Sequence, residues 1–142
     1  MLNRNTQNPG LLLASNAFDT VHVRAGSQDS IMEEMVRMSM KILVMGAGAV
    51  GGYFGAVLSR SGQDVTLVAR GSQLEAIVNG GLHIQSSDVG DFSVYPRVEE
   101  RIDGTWKVDL VLYCVKGYHN DQAIETMNPA VGPGTAILTL QN

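Results

Sequence analysis

Cysteine is nearly missing from this 142-residue sequence: Cys114 is the only one, so no internal disulfide can form. Set inside the apolar run VDLVLYCV, it reads as a small core residue. Long apolar runs are missing as well. No stretch reaches the roughly 18 consecutive apolar residues of a membrane span, and LLLA near the N-terminus is too short for the core of a secretory signal. The expectation is a cytoplasmic protein without a membrane partner. Charge is sparse and of the wrong sign for nucleic acid: 17% of residues are charged, the net charge is -4, and the basic residues are scattered. Nucleic acid is therefore not an expected partner. Neither His22 nor His83 has companions at metal-ligand spacing, so no metal site is expected.

What is present is enough apolar residue, 44%, for one domain with a real core. The chain divides unevenly. Residues 1–39 mix Asn, Gln, Ser and Arg with isolated apolar residues, and no period of 2 or 3.6 persists through them. A poorly ordered extension is expected there. Its one local pattern is SIMEEMVRM, where Ser30 and Glu33 have capping-box spacing and Ile31, Met35 and Met38 share a helical face, which predicts a short, marginal helix. Regular patterning begins abruptly at Met40, which is the expected natural start, with residues 40–142 as the folded domain.

From Lys41 the pattern alternates. KILVMG reads as a strand buried on both faces. After the glycines, Val50, Phe54, Val57 and Leu58 fall on one side of a helix, with Gly62 at its stop. DVTLVAR is a second strand. Ser72 and Glu75 have capping-box spacing for a short helix through Leu74, Ile77 and Val78 that ends at Gly80 and Gly81. GLHIQSSDVGDFSVYP reads as a hairpin closed by Pro96, VDLVLYCV (108–115) as a strand, 120–127 as a helix, and TAILTL (135–140) as a last strand. This rhythm predicts an α/β fold of the Rossmann type, a doubly wound, mainly parallel sheet.

The string GAGAVGG sits between the first strand and the first helix. Gly46, Gly48 and Gly51 fit G-x-G-x-x-G inside a strand-helix-strand unit of about 30 residues. Gly46 permits the turn, Gly48 lets backbone approach a pyrophosphate, and Gly51 lets the helix lie close to the sheet. Ala47, Ala49 and Val50 complete the loop, whose N–H groups face the ligand at the positive end of the helix dipole. The alternative is that the glycines serve helix-strand packing alone.

Sites for NAD usually carry an acidic residue at the end of the second strand to accept the ribose hydroxyls. Arg70 stands there, and its fork of donors suits a ribose 2′-phosphate, so NADP(H) is favoured. The alternative is that Arg70 only solvates the sheet edge. Ligands in open α/β sheets lie beyond the carboxyl ends of the strands, which adds Lys116, Gly117 and Tyr118 after one strand and Gln141 and Asn142 after another. Lys116 can donate to a ribose hydroxyl, phosphate or carboxylate, or simply be a solvated surface residue. Asn142 can orient a carbonyl or carboxylate. His119 reads as a loop or helix-cap residue rather than a base.

In order along the chain, GAGAVGG, VARG, VKGY and the terminal LQN resemble the N-terminal domain of the ketopantoate reductase (2-dehydropantoate 2-reductase) family, from Met40 to Asn142. The resemblance implies NADPH-dependent reduction of 2-ketopantoate to (R)-pantoate, towards pantothenate and coenzyme A. It implies that Gly46–Gly51 hold the pyrophosphate and Arg70 the 2′-phosphate, with Lys116 and Asn142 near the nicotinamide ribose and substrate. It also implies a second, mostly helical domain that supplies a proton-donating lysine and a substrate-binding glutamate. Neither can be assigned in a sequence that stops at Asn142, so no catalytic residue is assigned, and weak or no NADPH binding with little turnover is expected of this chain alone. Two other readings remain: a stand-alone NADP(H)-binding module, and a reductase of another 2-keto acid. UDP-sugar, 6-phosphogluconate and opine dehydrogenases share the loop but fit VARG followed by VKGY less well. Nothing in the sequence sets the oligomeric state.

Overall fold

The computed structural model describes residues 32–34 and 38–141. The chain divides into two units, Met1–Met38 and Ser39–Asn142. In the first, residues 32–34 and 38 are helical, with Met32 and Met38 exposed. Ser30 and nearly all of the expected 1–39 extension lie outside the described residues.

The second unit is built on β1 (Lys41–Met45), α1 (Ala49–Arg60), β2 (Asp64–Val68), α2 (Gly71–Gly80), β3 (Leu82–Ile84), β4 (Phe92–Val94), β5 (Arg97–Glu99), β6 (Leu110–Tyr113), α3 (Asn120–Met127) and β7 (Ala136–Thr139). Five strands form one sheet in the order β5-β2-β1-β6-β7, and every pair in it is parallel. β3 and β4 form a separate antiparallel hairpin.

β1 explains why the sheet lies where it does. Alternate side chains of a strand point to opposite faces, and in β1 both faces are covered. Leu43 and Met45 pack with Val68, Val111, Tyr113 and with Ala123 of α3, whereas Ile42 and Val44 pack with Val65, Leu67, Leu112 and with Ile77 of α2. Leu43, Val44 and Leu67 are completely buried, and each such side chain contributes about 1.5–3 kcal/mol relative to exposure. Helices on both faces make the sheet doubly wound, as the alternating sequence pattern predicts.

The helix after the glycines packs differently from expectation. Of its apolar row, Val50 (45%) and Phe54 (42%) are exposed, whereas Val57 and Leu58 are half-buried and Leu58 packs against the core; the fully buried residues are Gly51, Gly52, Gly55 and Ala56. A β-carbon on Gly55 would come within 2.8 Å of Leu67 Cδ2, so α1 meets the sheet through bare backbone. Gly62, with φ of 88°, ends the turn after the helix as expected. The hairpin joins this helix through Arg60, whose Nη1 donates to Val89 O at 3.0 Å and whose guanidinium lies 4.5 Å from the Phe92 ring centre.

Other expectations need correction. α2 begins at Gly71 with Arg70 as its N-cap, and no side chain caps it, so Ser72 and Glu75 form no capping box. Gly71, with φ of 53°, lets the helix start two residues earlier than the serine would. The segment Arg97–Glu99 is an edge strand beside β2 that three residues of mixed polarity do not reveal. The strands expected at 108–115 and 135–140 are shorter, because only Leu110–Tyr113 and Ala136–Thr139 keep a ladder. The helix expected at 120–127 is present with those bounds, and His119 is its N-cap.

Candidate functional site

The strand order reverses beside β1: the chain runs outward through β2 and β5, then returns to place β6 on the other flank. A crevice opens at such a reversal, beyond the carboxyl ends of the strands. The loop Gly46–Gly48 leaves β1 at that point. Gly46 has φ of 92°, a left-handed conformation that suits glycine, and it lies under Val115 and the Cys114 carbonyl. Gly51 is buried against the start of the same loop, where a β-carbon would overlap Gly46 O. Gly48 is the opposite case: it is exposed, and nothing lies within 4 Å of the place a β-carbon would occupy.

The first hydrogen bond of α1 runs from Gly52 N–H to Gly48 O at 2.7 Å. The N–H groups of Ala49, Val50 and Gly51 precede it and have no acceptor within the helix. The first turn carries no acidic side chain, so its positive end is left for an anion. Gln73, from the first turn of α2, donates from Nε2 to Ala47 O at 2.5 Å and pins the loop from outside. Ala47, Gly48, Ala49, Gly52, Tyr53 and Gln73 border an open depression of about 390 Å³, with Leu82, His83 and Ile84 of β3 along its other side.

Arg70 stands just past β2, exposed, and donates from Nη2 to Thr126 Oγ1 at 3.3 Å. It lines a second cavity of about 350 Å³ together with Glu100, Arg101, Gln122, Glu125 and Thr126. On the far flank, Lys116 is exposed and heads the short 3-10 turn Gly117–His119, with His119 N–H donating to Lys116 O at 2.9 Å. Gln141 holds this exit by donating from Nε2 to Val115 O at 2.9 Å and to Asn120 Oδ1 at 2.7 Å. Asn142 lies outside the described residues.

Burial pushes the Cys114 thiol above its ordinary range, so it stays protonated under the loop. The Tyr113 hydroxyl is also raised, first by burial and then by the Asp121 carboxylate, and it lies 3.3 Å from Asn120 O. Among the described residues no cluster of His, Cys, Asp and Glu could hold a metal, and no helix is long and apolar enough to cross a membrane. Thus the loop, Arg70 and Lys116 all stand at the carboxyl edge of one sheet. Gln73, Arg101 and Thr126 were not legible as site residues, since each reaches the edge through tertiary placement rather than motif.

A parallel sheet whose order reverses beside a glycine turn and a helix N-terminus defines a Rossmann-type domain. Residues 42–142 match the family described as Ketopantoate reductase PanE/ApbA, and the chain belongs to that family. It is 37% identical over 103 residues to a 2-dehydropantoate 2-reductase of Pyrococcus horikoshii, covering 72% of this chain and 33% of that protein. Among solved structures, a 2-dehydropantoate 2-reductase from Geobacter metallireducens is 40% identical with a TM-score of 0.63, covering 71% of this chain and 34% of the other. A PanE/ApbA family ketopantoate reductase from Ralstonia eutropha is 38% identical with a TM-score of 0.66, covering 72% and 34%. The chain therefore spans about a third of the length of the curated relatives it matches.

Proposed function

We propose that this chain forms the NADP(H)-binding part of a 2-dehydropantoate 2-reductase, which reduces the ketone of 2-ketopantoate to (R)-pantoate. The observation that carries this reading is the open backbone at Gly48, set over an acid-free helix start, with Arg70 past the end of the next strand. The residues present fit the group. A pyrophosphate needs close approach to backbone N–H groups, and the space beside Gly48 allows it.

When bound, the reduced nicotinamide supplies the hydride. The chain's own residues bind and orient. Gly46, Ala47, Gly48, Ala49, Val50 and Gly51 hold the pyrophosphate, and Arg70 grips the ribose 2′-phosphate. Lys116 donates to the nicotinamide ribose or the substrate carboxylate, and Asn142, following β7, is assigned beside it. Ketone reduction also needs a proton at oxygen, and a positioned acid contributes on the order of 100- to 10,000-fold. No residue of this chain is assigned that role, so the chain alone turns over little 2-keto acid. A cytoplasmic setting belongs to the same proposal and agrees with a protein holding one unpaired cysteine.

The test is NADPH titration of the chain followed by NMR. Arg70→Asp should weaken binding by about 1.5–3 kcal/mol, roughly 10- to 150-fold. Unchanged affinity ends the assignment of Arg70, and fast NADPH oxidation with ketopantoate by the chain alone ends the statement about turnover.

A further inference from the structure

Arg70 does not stand alone at the edge of the sheet. β2 and β5 are parallel neighbours, in register through Val68 beside Glu99, and Ala69 N–H donates to Glu99 O at 3.1 Å. Arg70 is the second residue past the end of β2 and Arg101 the second past the end of β5. The ladder itself ends at Val68 and Glu99, and beyond it both arginines line the cavity of about 350 Å³ beside α3.

We propose that Arg101 is a second specificity-determining residue, which together with Arg70 clamps the 2′-phosphate on the adenosine ribose. The inference rests on the NADP(H) reading above. Of the five donors on the Arg70 guanidinium, one is directed to Thr126 Oγ1. Arg101 is exposed and makes no hydrogen bond or ion pair among the described residues. Two neighbouring cations repel each other, and a dianion between them turns that repulsion into paired, charge-assisted hydrogen bonds.

Glu100 and Glu125 line the same cavity, so its formal charge is balanced and net attraction does not explain selectivity. The distinction lies in donors against acceptors. The arginines serve a phosphate, and the carboxylates could serve only the free hydroxyl of an unphosphorylated ribose. The clamp therefore predicts preference for the phosphorylated nucleotide in spite of the two glutamates.

The full 142-residue chain is titrated with 2′,5′-ADP and with 5′-AMP, with binding followed by NMR and folding checked by thermal unfolding. The wild type should prefer 2′,5′-ADP. Arg101→Ala should weaken that ligand about tenfold and leave 5′-AMP unchanged, with Arg101→Lys between the two, because lysine keeps charge but loses the planar fork. If Arg70→Ala loses the preference while Arg101→Ala keeps it, the clamp falls and the NADP(H) reading stands. If the wild type binds both ligands equally, or neither, the NADP(H) reading and the clamp fall together.

Discussion

A β-carbon added to Gly51 would overlap the carbonyl oxygen of Gly46, so the first turn of α1 and the turn that leaves β1 touch backbone to backbone. Val44 Cγ1 at 3.1 Å and Cys114 Cβ at 3.2 Å close the same spot from the sheet. Gly51→Ala must push the helix away. We expect a loss of about 1–3 kcal/mol, the scale of overpacking in a core, measured by urea unfolding of the wild type and the variant.

Gly48 supplies the contrasting case. Its φ of -65° and ψ of -168° are open to alanine, and no atom would meet the new methyl group. Gly48→Ala should change stability by no more than about 1 kcal/mol, as a cap substitution does. The methyl group would nevertheless fill the space assigned to the pyrophosphate, so dinucleotide affinity should fall about tenfold or more. Unfolding and NMR titration on one sample separate the two effects. Retained affinity in a folded variant would move the pyrophosphate elsewhere.

Gln73 holds Ala47 O by donating a hydrogen bond. Gln73→Glu keeps the size but cannot donate when ionised, and it brings a negative charge to the edge of the loop. A destabilisation of about 1–3 kcal/mol should follow, from a carbonyl left facing a carboxylate. Nucleotide binding should weaken more in Gln73→Glu than in the uncharged Gln73→Met. Equal effects in the two variants would show that the charge does not reach the ligand.

Cys114 gives a pH-dependent test. Its thiol is raised above the ordinary value of 9.0 by burial. The unfolded chain then releases this proton at lower pH than the folded chain does. The contribution to stability is therefore full below about pH 9 and is lost as pH rises through the higher folded value. Cys114→Ala should flatten the decline in urea midpoint between pH 8 and pH 10, and iodoacetamide should label native Cys114 more slowly than the urea-unfolded chain. Tyr113, raised in the same direction, adds to the decline at still higher pH and is unchanged in the variant.

The parts of the fold that were legible in sequence are those fixed locally. KILVM is apolar at every position but one because both faces of β1 are covered, and the glycines of GAGAVGG sit where a turn and a close approach require them. The face of α1 was legible only in part, at Val57 and Leu58. Periodicity tracks large apolar side chains, and here the closest contact is made by residues that lack one, leaving Val50 and Phe54 in the outer row. Arg101 was hidden for another reason. Only the pairing of β5 with β2 brings it to the cavity that Arg70 also lines, and Arg97–Glu99 is too short and too polar to declare itself a strand.

The glycine contacts under α1 also bear on how a ligand would be received. A helix seated by side chains can shift as rotamers adjust, but one seated by its own backbone has no such slack. Loop, helix start and the end of β1 should move as one rigid piece. The donors at Ala49, Val50 and Gly51 are then aimed before any ligand arrives, and little conformational entropy is left to lose on binding. Affinity at this end of the site should accordingly depend little on loop closure, and binding of an isolated pyrophosphate should leave the backbone of residues 44–56 where it is.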